Sequence, residues 1–135
     1  MEVERGFQLE KPEIVLEWET PLDRLLVIDG LQQVTNEYYV MSGTALDGLA
    51  LRVGLHLRHK RLVRIELLRQ SEMALENSYR DFQRRLEVTF GAPDVSHPAD
   101  GGYKFFEWKR GKVSITHSVI ERFALEEFVF FSYVS

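Results

Sequence analysis

Four histidines and a local run of arginines carry the side chains whose types and spacing could do chemistry in this chain. His56 and His59 stand three apart, a spacing that could offer two imidazole nitrogens to a metal. Arg52, Arg58 and Arg64 flank them and would repel a cation, and Glu66 is the one carboxylate close by in sequence. The expectation there is no metal and no cofactor but an exposed basic surface. Guanidinium forks suit carboxylate or phosphate partners, so Arg52, His56, Arg58 and Arg64 form the first candidate binding set. His97 and Asp100 join it from residues 91–102, which read as a flexible loop. The second candidate centres on His117, expected opposite Lys104 where an apolar stripe meets polar residues. A partly buried imidazole beside an ammonium group suits general-base work. With Tyr103 and Trp108 these residues would line a pocket for a small molecule, enzymatic or not. The plainer alternative is a histidine at the rim of the core with one hydrogen-bond partner.

Other chemistry is excluded more firmly. The chain has no cysteine, hence no disulfide, thiolate zinc site or cysteine nucleophile. No phosphate-binding glycine loop, dinucleotide fingerprint, serine elbow or HExxH zinc motif occurs.

The elements that must position these residues follow from periodicity. Leu49, Leu51, Val53, Leu55 and Leu57 alternate with Ala50, Arg52, Gly54, His56 and Arg58, which predicts a strand with one dry face. Residues 61–69 form its hairpin partner. A two-residue turn at His59-Lys60 would set Leu55 beside Arg64, whereas a three-residue loop pairs Leu57 with Val63, Leu55 with Ile65 and Val53 with Leu67. The second register keeps the apolar side dry and is preferred. It leaves Glu66, Leu62 and Leu68 among the basic residues of the opposite face.

Elsewhere, residues 14–18 read as a short strand and Thr20-Pro21 as the start of a helix stopped by Gly30. Residues 35–42 are β-rich. Leu75, Tyr79, Phe82, Leu86 and Phe90 define one face of a second helix, starting at Ser71 or at Ser78 and ended by Gly91 and Pro93. A turn at Arg110-Gly111 predicts a second hairpin with Trp108 opposite Val113, Phe106 opposite Ile115 and Lys104 opposite His117. Residues 127–134 are apolar on both faces, as expected of a central strand or one covered by another chain.

At 135 residues with 44% apolar and 28% charged side chains, the composition is that of one globular domain, residues 1–135. Net charge is −4, but residues 1–47 carry −7, residues 48–70 carry +5 and residues 71–135 carry −2. That balance argues against general nucleic-acid binding and leaves a basic patch for an acidic protein partner. The chain's own acidic N-terminal third is the competing occupant of that patch. Nine of the sixteen aromatic residues fall in residues 103–135, more than an even spread would place there, so core or a homodimer surface should lie there. The longest uncharged stretch is nine residues, far short of the ~20 needed to span a bilayer. No apolar leader follows Met1, and the expected location is cytoplasmic.

The amphipathic helix, Gly91-Ala92-Pro93, the irregular segment and Trp108 on the first of three antiparallel strands resemble one repeat of the β-lactamase-inhibitor-protein-like superfamily, over residues ~75–134. That superfamily includes small outer-membrane assembly lipoproteins. The resemblance implies an α+β module that works by binding other proteins, although this chain lacks the export signal and lipid-anchoring cysteine of those lipoproteins. The expectations are therefore an α+β fold, an antiparallel sheet of six to seven strands with two helices packed on it, and an αβββ duplication. The expected function is a non-catalytic inhibitor, immunity or adaptor module.

Overall fold

The computed structural model describes residues 1–134. In chain order the elements are β1 (Gly6–Leu9), β2 (Ile14–Glu17), α1 (Leu22–Leu25), β3 (Gln32–Thr35), β4 (Tyr38–Ala45), β5 (Leu49–Arg58), β6 (Arg61–Arg69), α2 (Leu75–Phe90), β7 (Val95–Pro98), β8 (Lys104–Arg110), β9 (Val113–Glu121) and β10 (Leu125–Tyr133). The fold is α+β and mostly sheet. Strands β3 to β10 form one antiparallel sheet of eight in the order β3-β4-β5-β6-β10-β9-β8-β7, and β1 and β2 form a separate hairpin. The expected six or seven strands undercounted it, because β3 and β7 are four-residue strands too short to show a period. Each helix is followed by four strands rather than three, and the two meanders join along β6 and β10.

That junction places β10 in mid-sheet. Its odd-numbered residues Val129 and Phe131 pair with Leu67 and Ile65 and are fully buried. The N-terminal hairpin and α2 both pack on this inner face, where Phe7 meets Phe131 edge-on at 4.9 Å and Phe90 meets it at 5.7 Å. The Leu49–Leu57 stripe turns inward as its alternation requires, with Leu51, Val53 and Leu55 fully buried.

Two registers differ from expectation. The first hairpin turns on two residues, His59 and Lys60, both with positive φ, as a type I′ turn demands. A bulge in β6 then restores the apolar match: Leu57 pairs with Leu62, while Leu55 still pairs with Ile65 and Val53 with Leu67. Leu62 is thereby buried in the core and leaves the basic face. In the second hairpin Arg110 pairs with Val113, Trp108 with Ile115 and Phe106 with His117, a shift that keeps every side chain on its expected face but separates His117 from Lys104.

The helices start without side-chain caps. Thr20 bonds the Glu17 carbonyl instead of capping α1, a single turn opened by Pro21, and α2 starts after Ala74. Ser78 lies inside α2, buried, with its hydroxyl committed elsewhere. Among the described residues no helix is long and apolar enough to cross a membrane.

Candidate functional site

Because α2 and the N-terminal hairpin cover the inner face, the even-numbered residues of β10 and their neighbours form the outer one. Across the sheet, Tyr38, His56, Arg64, Ser132 and Ser114 share one row, and Val40, Gly54, Glu66, Phe130, Thr116 and Glu107 share the next. Arg52 and Leu68 pair in a third row, in line with Phe128. Arg52, Arg58 and Arg64 are exposed, and among the described residues none of them forms an ion pair. No carboxylate of the acidic N-terminal third pairs with them among the described residues: the β1–β2 hairpin lies on the other side of the sheet, and β3 and β4, which belong to the sheet, bring none within ion-pair distance. Arg64 instead donates to the Ser132 hydroxyl at 3.0 Å and lies 4.8 Å from the centre of the Phe130 ring. Phe128 stacks on Phe130 at 5.7 Å, so half-buried aromatic rings border the free guanidinium groups.

The local carboxylate is spoken for. Glu66 accepts from the Tyr38 hydroxyl at 3.1 Å and sits 3.3 Å from His56 Nε2, while the Tyr38 and His56 rings lie 4.5 Å apart. The His56 hydrogen bond, against the opposing pull of burial and helped by Tyr38, holds the Glu66 carboxyl below its ordinary value. Burial, then the Glu66 charge, raises the Tyr38 phenol. Gly54 makes the cluster possible: a Cβ there would stand 2.7 Å from a Tyr38 ring carbon and 2.9 Å from its oxygen. Gly54→Ala is therefore expected to displace Tyr38, cost about 1–2 kcal/mol in urea unfolding and return the phenol towards an ordinary tyrosine value in an ultraviolet titration.

The remaining predicted binding residues lie elsewhere. Residues 91–102 are not a free loop: β7 pairs with β8, Asp94 accepts from the Lys109 amide and from Arg110, and Asp100 accepts from the Glu121 amide at 2.8 Å. His97 stacks on Phe105 at 4.6 Å at the far edge of the outer face. Five strand spacings, ~24 Å, separate β7 from β5, so His97 and Asp100 do not join the arginine cluster.

His117 does not line a pocket either. It is completely buried beneath Tyr79, Phe82 and Phe106, whose rings lie 4.7, 6.0 and 6.5 Å away. Lys104 is exposed, Tyr103 packs edge-on against Tyr79, and Trp108 is buried with its indole N–H on the Gly91 carbonyl. An open groove of about 540 Å³ between α2 and β8 is lined by Tyr79, Gln83, Val88 and Phe106, and a smaller one of about 300 Å³ by Ser78, Phe82 and Glu127; His117 lines neither.

What His117 does is hold α2 to the sheet. Gln83 donates its amide N–H to Glu87 at 2.7 Å, so its carbonyl faces His117 Nδ1 at 2.8 Å and that nitrogen must carry a hydrogen. The other nitrogen shares a proton with Glu127 at 2.6 Å, and Ser78 donates to the second Glu127 oxygen at 2.5 Å. Arg69 donates to the Ser78 hydroxyl at 3.0 Å and to Asp81 at 2.8 Å, and Arg85 runs from Asp81 to the Leu46 and Asp47 carbonyls. Every buried side-chain nitrogen and oxygen among the described residues has a partner. Residue patterns did not reveal this chain of contacts, since Ser78 and Glu127 lie 49 positions apart and His117 and Gln83 lie 34 apart.

Burial pushes the Asp81 carboxyl up, but hydrogen bonds from Arg69, Arg85 and Arg84 outweigh it and hold the group at about 2 against an ordinary 3.8. A depressed value means that the unfolded chain takes up this proton first. The stability it confers is complete above about pH 4 and is lost as pH falls towards 2. Asp81→Asn is expected to be the less stable form at pH 7, and the gap in urea midpoints should close across that window.

Among the described residues no three His, Asp or Glu side chains gather to hold a metal ion. Compared with protein-family models, curated proteins and solved structures, the chain matches none.

Proposed function

We propose that this chain is a non-catalytic protein-binding module, of inhibitor, immunity or adaptor type, that docks an acidic protein through the outer face of its sheet. One observation carries the reading: Arg52, Arg58 and Arg64 stand exposed and without ion pairs among the described residues, on the face the chain's own helices and N-terminal hairpin leave uncovered. Their neighbours Leu68, Phe128 and Phe130 supply apolar area between the charges, the mixture that protein interfaces favour. Within an acidic chain this local excess of positive charge selects a negative partner and steers its approach. The likeness of the second helix and its following strands to a repeat of a protein-binding superfamily agrees with this reading, now with a fourth strand in the unit. The loop of residues 91–102 drops out of the docking surface, and His56 contributes by engaging the Glu66 carboxylate.

The small-molecule reading loses its support, because His117 and Lys104 do not converge. The test is comparative capture: wild-type chain and an Arg52, Arg58, Arg64 charge-reversed form are presented to the same lysate after their solution masses are measured. A stoichiometric companion held only by the wild type supports the docking face. Equal capture by both forms removes that face, and a self-dimer lost on charge reversal identifies a second copy as the occupant.

A further inference from the structure

A concavity of about 440 Å³ opens at the tip of the β5–β6 hairpin, lined by Glu19, Arg58, His59, Arg61, Val63 and Tyr133. Three local backbone features meet there. His59 and Lys60 hold the turn with φ of 52° and 60°, where Asn-Gly would be the unstrained choice; the chain places an imidazole and an ammonium group instead. Glu19 is left-handed too, at φ 66°. The bulge in β6 falls at Val63, and bulges re-aim side chains beside functional sites. The tip is also braced: Leu22 N–H donates to the Lys60 carbonyl at 2.9 Å, Glu19 N–H donates to the Leu62 carbonyl at 2.8 Å, Leu62 N–H donates to the Thr20 carbonyl at 3.1 Å, and Arg61 donates to the Glu19 carbonyl at 3.0 Å. Positioned cations on a rigid turn, beside an aromatic ring, describe a built anion pocket.

We propose that this pocket binds a phosphate monoester carried on an aromatic or aliphatic body. The donors select it: Arg58 and Arg61 outnumber Glu19, and two guanidinium forks can engage three phosphate oxygens at once, where a carboxylate offers two. Tyr133 and Val63 supply an apolar wall for the body, and Arg58 and Arg61 supply forks for the oxygens. The site shares Arg58 with the docking face and rests on that reading only for where its ligand comes from.

The experiment is an NMR titration of the isotope-labelled full chain with phenyl phosphate. Saturable amide shifts confined to residues 19–22, 58–63 and 133–134 are expected, with benzoate and inorganic phosphate each about tenfold weaker. Arg58→Gln and His59→Asn, the latter chosen because asparagine tolerates the left-handed turn, should each weaken phenyl phosphate about tenfold with unchanged circular dichroism. The proposal is overturned if millimolar phenyl phosphate gives no saturable shift, if both variants bind as well as wild type, or if benzoate binds equally. An acetylated phosphotyrosine amide that binds more tightly than phenyl phosphate points to a phosphorylated side chain of the partner; equal affinity points to a free ester. Arg52→Glu with Arg64→Glu should leave phenyl phosphate binding intact, so loss of capture in that form strikes the docking face alone, and loss of phenyl phosphate binding with capture intact strikes the pocket alone.

Discussion

Replacing Arg52, Arg58 and Arg64 together with glutamate is expected to weaken binding of the captured partner at least about a hundredfold while the chain stays folded. The size follows from position. These guanidinium groups are exposed, none is held by a carboxylate among the described residues, and Arg64 sits over Phe130 at the centre of the outer face. Reversal turns three favourable charges into three repulsive ones against an acidic surface. The fold should tolerate it, because the buried residues of β5 and β6 alternate with these and are untouched. Surface plasmon resonance at two salt concentrations checks both parts: wild-type association should slow as salt rises, and the reversed form should show little association at either. A reversed form that binds within a fewfold of wild type contradicts the account.

His117→Ala is expected to cost about 3–5 kcal/mol, the sum of two buried groups left without a hydrogen-bond partner and the lost packing of the ring, which lowers the melting temperature by roughly 10–20 °C in a chain of this length. The variant orphans two groups at once: Glu127 loses the proton it shares at 2.6 Å and Gln83 loses the donor at 2.8 Å. It also removes the ring on which Tyr79 and Phe82 pack. Replacing both members of the pair, His117→Leu with Glu127→Met, should recover part of the loss, because no charge is then left buried alone. Urea unfolding measures each, and a single-variant cost below about 1 kcal/mol would mean that the pair does not fasten α2 to the sheet.

Much of this architecture is legible in the sequence, and the reasons are local. The alternation from Leu49 to Leu57 fixes which residues face the core, and the face of α2 follows from Phe82, Leu86 and Phe90 at helical spacing. The doubly apolar strand near the C-terminus proves central, as its composition requires. What is misread needs information that spacing does not carry. His59-Lys60 is not a turn dipeptide by propensity, so a longer loop matches the apolar faces equally well; the protein reaches the same match with a short turn and a bulge. β7 is concealed because its pattern, Val-Ser-His-Pro, has neither alternation nor length and ends in a proline. The tasks of Ser78, Gln83 and Glu127 depend on which strands become neighbours. Local sequence makes Ser78 a cap and the expected register beside Lys104 makes His117 a base, whereas the sheet order makes them two links of one buried clasp.

The claim that the outer face does the docking is tested most directly by arginine footprinting. The free chain and its complex with the captured partner are treated with phenylglyoxal, and modified positions are read by mass spectrometry. Arg52, Arg58 and Arg64 should react readily in the free chain, while Arg69, 8% exposed, should react slowly. In the complex the first three should become protected while Arg80 and Arg84, exposed on α2, keep reacting. Protection of Arg80 and Arg84 with Arg52, Arg58 and Arg64 still reactive would contradict the account and move the interface to the helix.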